Sequence, residues 1–529
     1  MKQKEHFGSR WGMMLVMLGM AVGTGNIWRF PRIAAKNGGG EFLIAWVVFL
    51  FLWSIPLILL EFGMGRKTRS GPIKGFVKMM GPKYAWMGAL VAFVTVAIMF
   101  YYSVVAGWTV RYTAAAVVGQ IPGEIPGEFW KAFTNSPWPL LTHAIMIGLA
   151  VWVVSRGVGM IEKVAKVLMP MLLLLVVILT IRALTLPGAS NGLSAFFTVE
   201  WGKLGNPVLW LEALTQNAWD TGAGWGLVLC YAAYLREKED TALNGIILPI
   251  GNNLISLLAG IMIFCTVFTV IPEMVTQFEQ NPEMVATYSK GMQAQIDAGA
   301  MMDAELVEED IFGAGNEGIT FVWMPQLFKE LPWGQGLMSL FFLALAFAAF
   351  TSLMAMMELG TRALRDIGFA RKKAILVIGA AGFLLGMPSA LNMSIFLNQD
   401  WVWAVALVLA GLFFAIAVIK NGVKKFREEQ LNHENSNVKI GAWWDIVVTV
   451  LIPLQAFALL GWFFYGAWGD AAGKGETMGE KLKIFLTPIS EYNAGTVIVQ
   501  LAILIFVLLV LNKWIANRVK AAEQSPEEE

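Results

Sequence analysis

The sequence predicts an all-helical, polytopic membrane protein with twelve transmembrane helices. Hydrophobic residues make up 57% of the 529 residues and charged residues only 15%, whereas soluble domains have about 45–50% and about 25%. Backbone groups in lipid must hydrogen-bond within their own segment, and the apolar runs are too long for barrel strands, so we expect helices. A net charge of +1 lacks the basic excess of a protein that binds nucleic acid.

Twelve apolar runs are long enough to span a bilayer, which takes about 20 residues. The first run continues into Arg29-Phe30-Pro31-Arg32 rather than a small-residue cleavage site. We therefore expect it to be a membrane helix and not a cleaved signal peptide. The runs cover residues 10–34, 41–65, 84–119, 138–155, 161–183, 207–235, 241–272, 335–364, 372–390, 399–420, 443–468 and 491–516.

Basic residues lie at one side of these spans, in the connections at 66–83, 163–166, 236–238, 362–373 and 420–427. The opposite side carries the long segment 273–317, which is acidic and has Lys290 as its one basic residue. Short-loop lysine and arginine mark the cytoplasmic side, so both termini are predicted there. We expect 273–317 to be a loop that acts as a lid or is a tolerated insertion, and 517–529 to be a polar cytoplasmic tail.

Motifs that would indicate an enzyme are missing. Cys230 and Cys265 lie in apolar runs and suit small buried hydrophobes. The histidines are scattered, at His6, His143 and His433, and no His-Glu-x-x-His occurs. Residues 469–475 faintly resemble a phosphate loop, but the glycine spacing is one residue short and no hydroxyl residue follows the lysine. We expect neither catalysis nor a metal cofactor of histidine or cysteine.

Two of the runs are interrupted in the middle. Residues 18–26 hold three glycines and Asn26, and residues 216–226 hold three alternate glycines and Asp220. Glycine costs about 1 kcal/mol in a helix interior, and an unpaired acid at bilayer depth costs several kcal/mol. Close helix packing would account for the glycines, but it leaves Asn26 and Asp220 unexplained. We therefore predict unwound segments that line a polar cavity.

The interruptions suggest a repeat. Residues 10–183 and 207–420 form two predicted halves, each opening with a broken helix, and residues 443–516 add two further helices. Paired interruptions of this kind point to a transporter site at the membrane midplane, between inverted repeats. Unwinding frees carbonyl oxygens for a cation and leaves helix amino ends facing an anionic group. An amino acid bound together with sodium suits such a site.

The sequence at these interruptions resembles the neurotransmitter:sodium symporter family. Residues 21–31 read AVGTGNIWRFP and Asn37-Gly38-Gly39-Gly40 follows them, with further matches at 60–66, Tyr101-Tyr102 and 350–352. The resemblance extends from about Lys4 to the last span. It implies a bacterial inner-membrane protein that carries an amino acid, or a close derivative, together with sodium by alternating access. It leaves a homodimer open.

The resemblance implies two sodium sites with oxygen ligands, as a hard cation prefers. The first would use the Ala21 carbonyl, the side chains of Asn26, Asn252 and Asp220, and the substrate carboxylate. The second would use the carbonyls of Gly19, Val22 and Ala348 and the hydroxyls of Thr351 and Ser352. Taken alone, those two hydroxyls would more commonly bond to their own helix.

The substrate site implied by the resemblance has a polar end and an apolar end. Tyr102 would donate its hydroxyl to the substrate carboxylate, near the backbone at Gly25. Gly23 stands where monoamine carriers have an aspartate, which favours a substrate that brings its own carboxylate. Without the resemblance, the aromatic and apolar members would be read as core. The predicted contacts are Ala21, Gly25, Ile98, Tyr102, Trp219, Asp220, Gly222, Trp225, Ser352, Ala355 and Met356.

Two gates are also implied. Arg29 and Asp400 would close the outer side, beneath which Trp219 and Tyr102 would form an aromatic cover. Lys4, Asp366 and Tyr234 would belong to the inner closure. The family usually has arginine where Lys4 stands, and lysine cannot form the planar bidentate pair that arginine forms.

The sequence departs from the family at the chloride site. Gln216, Asn252 and Ser256 match the chloride-dependent members, but Trp46 replaces a tyrosine and Asp220 replaces a hydroxyl residue. We therefore expect Asp220 to supply the negative charge, so that chloride is not required. Proton exchange at Asp220 stays open. The alternative functions are a receptor that does not transport and a channel, although the sequence has neither a repeated filter nor rings of like charge.

Overall fold

The computed structural model describes residues 6–123, 125–487 and 493–524, and all regular structure in them is helical. Helices of six residues or more are numbered here in chain order. They are α1 Arg10–Ala21, α2 Thr24–Lys36, α3 Gly40–Thr68, α4 Pro72–Met80, α5 Pro82–Val117, α6 Pro126–Thr134, α7 Trp138–Ser155, α8 Val158–Leu184, α9 Ala189–Phe197, α10 Pro207–Asp220, α11 Leu227–Ala232, α12 Thr241–Gln280, α13 Lys290–Asp297, α14 Ala304–Gly313, α15 Met324–Lys329, α16 Gly334–Asp366, α17 Arg371–Leu391, α18 Met393–Asn421, α19 Trp443–Lys474, α20 Met478–Leu486 and α21 Ala494–Gln524.

Ten of the helices in the described residues are long and apolar enough to cross a membrane. An eleventh span is the pair α1 and α2, which are bent by 50° at a short break. The predicted span at 207–235 corresponds to α10 and α11, which flank residues 221–226. All twelve predicted apolar runs therefore correspond to a helix or to a broken pair, and the expected all-helical membrane fold is confirmed.

The helix ends have local causes in the sequence. The Ser9 side chain accepts a hydrogen bond from the Gly12 amide at the start of α1. Asn206 caps α10 in the same way and is followed by a proline at the first helical position. Asp240 caps α12 through the Leu243 amide. Such caps satisfy amides that have no partner within the helix.

The bundle is built around α5 and α16, which pack against each other along their lengths. Helix α1 packs against α8, α12 and α16, so the first break lies at the centre of the protein. Large side chains such as Trp53, Trp108 and Trp444 are fully buried there. Apolar side chains on the outside of α21, among them Phe506 and Val510, are exposed, as expected of a surface that faces lipid.

The acidic segment 273–317 is helical, whereas a loop was expected. Helix α12 continues to Gln280, and α13 and α14 follow. Leu306, Val307, Ile311 and Phe312 of α14 are buried, and Val307 and Ile311, four residues apart, lie on the same face of the helix. The segment is therefore packed on the bundle through its apolar face, with its acids distributed over the other faces.

The polar C-terminal segment also differs from the expectation of a tail. Helix α21 continues through residues 517–524 to Gln524, well beyond the apolar run that ends at 516. The reason is continuity of the helix, because Ile515 and Val519 are buried four residues apart on the face that packs on the bundle. The rest of the predicted tail, 525–529, lies outside the described residues.

Candidate functional site

The break between α1 and α2 is made by side chains that take over backbone hydrogen bonds. The amide of Gly23 donates to Asn26 Oδ1 at 2.8 Å, and the amide of Thr24 donates to the Tyr102 hydroxyl at 3.2 Å. In a continuous helix these amides would donate to the carbonyls four residues earlier, those of Gly19 and Met20. The carbonyls at the end of α1 are thereby released from the helix.

Ser352 on α16 faces these released carbonyls. Its hydroxyl lies 3.3 Å from each of the carbonyl oxygens of Gly19, Met20 and Val22. A hydroxyl has a single proton, so it cannot satisfy three acceptors at once. The surplus of buried oxygen lone pairs fits a hard cation such as sodium. The structure thus brings Gly19, Val22 and Ser352 together as the second predicted sodium site requires.

Thr351 behaves differently from its neighbour. Its hydroxyl donates to the carbonyls of Phe347 and Ala348 on its own helix, at 3.0 Å each. Its Cβ nevertheless packs close to α1, only 3.0 Å from where a Cβ on Gly19 would stand. The hydroxyl oxygen keeps lone pairs while it donates, so Thr351 and the Ala348 carbonyl stay beside the proposed site.

The second break, between α10 and α11, is set by its own backbone. Gly222, Gly224 and Gly226 have φ angles of 72°, 86° and 79°, a region that other residues rarely adopt. The fully buried carboxylate of Glu61 accepts hydrogen bonds from the amides of Gly224, at 2.7 Å, and Leu229, at 3.1 Å. Glu61 belongs to the sequence motif at 60–66. An acid within an apolar span indicates that its carboxylate has buried partners, and here those partners are the two amides of the second break.

Asp220 joins the two breaks. Its Oδ2 accepts hydrogen bonds of 3.0 Å from Asn26 Nδ2 and from the Ser256 hydroxyl. Asn26 Nδ2 also donates to Asn252 Oδ1 at 2.9 Å. All four side chains are buried, and a Cβ on Gly25 would lie 2.7 Å from Asp220 Oδ1. The predicted ligands of the first sodium site are therefore neighbours in space.

Two donors next to Asp220 are engaged by its own carboxylate. The Ser256 hydroxyl and the Asn26 amide both donate to the Asp220 carboxylate. Trp46, at the position of the family's tyrosine, packs its ring on Phe30 with centroids 4.6 Å apart. Ser256, one of the three residues that match chloride-dependent members, therefore gives its hydrogen bond to Asp220 rather than to an anion.

A small cavity of about 60 Å³ lies between the two breaks. Every predicted substrate contact lines it except Ala355, which is buried in α16 but is not in the wall. Residues of the wall that sequence reasoning missed include two from the acidic segment, for which no spacing in the sequence gave a signal. The missed residues are Met20, Thr24, Trp28, Tyr101, Val105, Leu227, Asn316, Glu317 and Phe396.

A larger cavity of about 310 Å³ lies on the outer side, and Arg29 and Asp400 both line it. The Arg29 guanidinium lies 5.6 Å from the centre of the Trp219 ring and makes no ion pair with Asp400 within 4.0 Å. The predicted partners of the outer gate thus share one cavity without closing it. The acidic segment contributes Glu317 to the same wall.

Charged groups of the outer cavity act on one another. Burial raises the pKa of Glu317 to about 7, the Asp400 carboxylate also raises it, and Arg32 lowers it. Asn316 accepts a 2.9 Å hydrogen bond from Arg32 Nε, which attaches the acidic segment to α2. Glu317 can therefore gain or lose a proton near neutral pH in the wall of the outer cavity.

The inner side is closed by packed side chains. Phe7 is buried, with its ring 6.1 Å from those of Tyr231 and Tyr234. The Tyr234 hydroxyl donates to Glu358 at 2.6 Å, and Arg371 pairs with the same carboxylate at 2.7 Å. Glu358 and Arg371 were missed from the sequence, although Glu358 is a buried acid in a span.

Asp366 has a different set of partners from Tyr234. Its carboxylate accepts hydrogen bonds of 3.0 Å from the amides of Gly71 and Lys74, at the start of α4. It therefore caps α4 as well as belonging to the predicted inner closure. Lys4, the third predicted member, lies outside the described residues.

The sequence matches a family profile and known proteins over most of its length. The profile described as "Sodium:neurotransmitter symporter family" matches residues 4–136 and 130–467. An uncharacterized sodium-dependent transporter of Methanocaldococcus jannaschii is 28% identical over 480 residues, covering 87% of this chain and 90% of the relative. The sodium-dependent serotonin transporter of Drosophila melanogaster is 24% identical over 540 residues, covering 89% and 80%.

A solved structure has the same architecture. The crystal structure of MhsT in complex with L-phenylalanine matches with a TM-score of 0.71 and 26% sequence identity, covering 86% of this chain and 99% of MhsT. Two helices broken at midspan, a cavity between them and the match over most of the chain lead to one assignment. The chain is a multi-pass membrane transporter, not an enzyme, and belongs to the sodium:neurotransmitter symporter family.

Proposed function

We propose that this transporter carries an amino acid, or a close derivative, into the cell together with sodium, and that it does not require chloride. The observation that carries the proposal is the position of Asp220. Its carboxylate lies at the wall of the cavity and is held by Asn26 and Ser256. A fixed negative charge there balances a sodium ion, which is the charge that chloride would otherwise bring.

Two sodium ions are proposed. The first would be held by the Ala21 carbonyl with Asn26, Asn252 and Asp220, whose side chains form one hydrogen-bonded group. The second would be held where the Ser352 hydroxyl faces the carbonyls at the end of α1. Both shells consist of oxygen atoms and include uncharged carbonyls, as sodium accepts.

The cavity supports a substrate with a carboxylate and an apolar side chain. Helix α2 begins at Thr24 beside the cavity, and the amino end of a helix favours an anionic group. A Cβ on Gly23 would lie 3.0 Å from the Tyr102 hydroxyl oxygen, which leaves little room for an acidic side chain. Ile98 and Met356 form part of the apolar wall.

Binding of sodium and binding of substrate would be coupled, because both involve the substrate carboxylate. If the substrate carboxylate completes the first sodium shell, each ligand raises the affinity for the other by the same factor. The outer cavity beside Arg29 and the packed inner side at Phe7 support an outward-facing arrangement. Alternating access then requires the inner contacts of Tyr234 and Glu358 to separate after the outer side has closed.

Uptake into proteoliposomes tests the proposal directly. We expect accumulation of an apolar amino acid that depends on an inward sodium gradient and persists when chloride is replaced by gluconate. Asp220→Ser should slow uptake in the chloride-free medium. Asp470→Ser is the matched control, because Asp470 is an exposed acid paired with Lys474. Transport that collapses in gluconate would contradict chloride independence.

A receptor or a channel remains the alternative. A receptor would bind the amino acid in sodium but would accumulate nothing in proteoliposomes. A channel would pass sodium without concentrating the amino acid against its gradient. The pairing of a substrate cavity with oxygen-rich breaks favours the carrier, because it gives ion and substrate adjoining sites.

A further inference from the structure

The short helix α20 has an apolar stripe that no other part of the described chain covers. Met478, Leu482 and Leu486 are four residues apart and so lie on one face, and their side chains are 70%, 48% and 48% exposed. No residue of α20 is fully buried. A nine-residue helix with such a face would not be left in water.

The neighbours of α20 place this stripe at the membrane boundary. The helix connects two spanning helices, α19 and α21. The Phe485 ring packs edge-on against Trp468, with centroids 5.4 Å apart, and Trp468 lies about 9 Å along α19 from its end at Lys474. Asn493 Nδ2 also donates to the Ile484 carbonyl at 3.1 Å, which ties α20 to the start of α21. Helix α20 therefore bends back toward the bilayer.

The charges around the stripe complement a lipid surface. Glu480 is used at the helix start, where it accepts hydrogen bonds from the amides of Glu476 and Thr477. Lys481 and Lys483 lie on either side of the stripe, and in the described part of the chain neither forms an ion pair. Lysines beside an apolar face are typical of helices that lie in the membrane interface and attract anionic headgroups.

We propose that α20 is an interfacial helix that inserts Met478, Leu482 and Leu486 into the outer leaflet and binds the phosphates of acidic phospholipids through Lys481 and Lys483. The occupant of the stripe is thus the bilayer itself rather than a second copy of the chain or a soluble protein.

Spin labels measure the depth of the stripe. The native cysteines, Cys230 and Cys265, are buried, so a label reacts selectively with a cysteine introduced at Leu482 or, as the control, at exposed Glu476. In nanodiscs of the full-length protein, we expect the Leu482→Cys label to be relaxed more by oxygen than by a water-soluble nickel chelate, and the Glu476→Cys label to show the opposite. A Leu482 label as open to the nickel chelate as the control, or shielded from both reagents as in a protein interface, would overturn the proposal.

The lipid preference is tested separately. The melting temperature should rise when phosphatidylglycerol is added to phosphatidylcholine nanodiscs, and the double variant Lys481→Gln, Lys483→Gln should lose that shift. Lys131→Gln, at an exposed lysine of the nine-residue helix α6, should keep it. An equal shift in the double variant would refute binding of acidic lipid by α20.

Discussion

Replacing Asp220 by asparagine removes one negative charge and nearly preserves the shape of the side chain. The oxygen that remains can still accept a hydrogen bond from Asn26 Nδ2 or the Ser256 hydroxyl, which lie 3.0 Å from Asp220 Oδ2 in the native protein. The variant should therefore fold and insert as the native protein does. What changes is the electrostatic attraction between position 220 and a sodium ion at the first site.

The size of that attraction can be bounded. Two opposite unit charges about 4 Å apart attract by about 4 kcal/mol at the effective dielectric constant of about 20 that suits protein sites. The amide dipole of asparagine retains part of this attraction, which leaves a loss of about 2–3 kcal/mol. Since about 1.4 kcal/mol corresponds to a factor of ten, sodium affinity should fall about 30- to 140-fold.

The assay is the sodium concentration that gives half of the maximal thermal stabilisation, measured without substrate and in gluconate. Asp470→Asn serves as the control, because an exposed ion pair contributes little. If Asp220→Asn shifts the sodium midpoint by less than about threefold, the carboxylate does not balance the ion and the reasoning about chloride fails with it.

Three further outcomes are expected. Tyr102→Phe should weaken substrate binding about tenfold by removing one hydrogen bond to a charged group, as measured by substrate titration in saturating sodium. Gly224→Ala should lower the melting temperature, because φ is +86° and the new Cβ would lie 2.8 Å from the Gly411 Cα, whereas Gly466→Ala, in open space, should not. Substrate affinity, measured by titration, should change between about pH 6 and about pH 8 as Glu317 titrates, and Glu317→Gln should abolish that change. Since burial raises the pKa of Glu317 to about 7, its protonated form favours folding, and this contribution is lost as pH rises through 7.

The architecture could be predicted from the sequence because bilayer physics is strict. The lengths of the apolar runs predicted the spans. Asn26 and Asp220 identified the two breaks, because a polar group in the middle of a membrane span is costly unless it has partners. The clustering of Asn26, Asp220, Asn252 and Ser256 was expected from the resemblance, whereas the direction of each hydrogen bond was not. Which amide donates to which oxygen depends on side-chain rotation, which no sequence pattern encodes.

The two residues of the acidic segment that line the cavities, Asn316 and Glu317, could not be predicted for a different reason. Asn316 and Glu317 reach the outer cavity because α14 packs on the bundle through its apolar face. The charge of segment 273–317 predicts a loop, whereas two pairs of apolar residues, Leu306-Val307 and Ile311-Phe312, are buried in the helix that forms. For Thr351, the sequence alone predicts the observed bond. Its hydroxyl donates within its own helix, as hydroxyl residues in spans commonly do.

The two breaks differ in what maintains them, and this makes the halves of the protein mechanically unequal. Around the first break, Val22 and Gly23 have backbone angles that any residue can adopt, so its shape depends on Asn26, Tyr102 and Ser352. A bend that depends on side-chain contacts can change its angle when those contacts separate. The second break is set mainly by left-handed glycines within its own chain, although the Glu61 carboxylate also accepts two amide hydrogen bonds there. We therefore expect the angle between α1 and α2 to change more easily than the angle between α10 and α11.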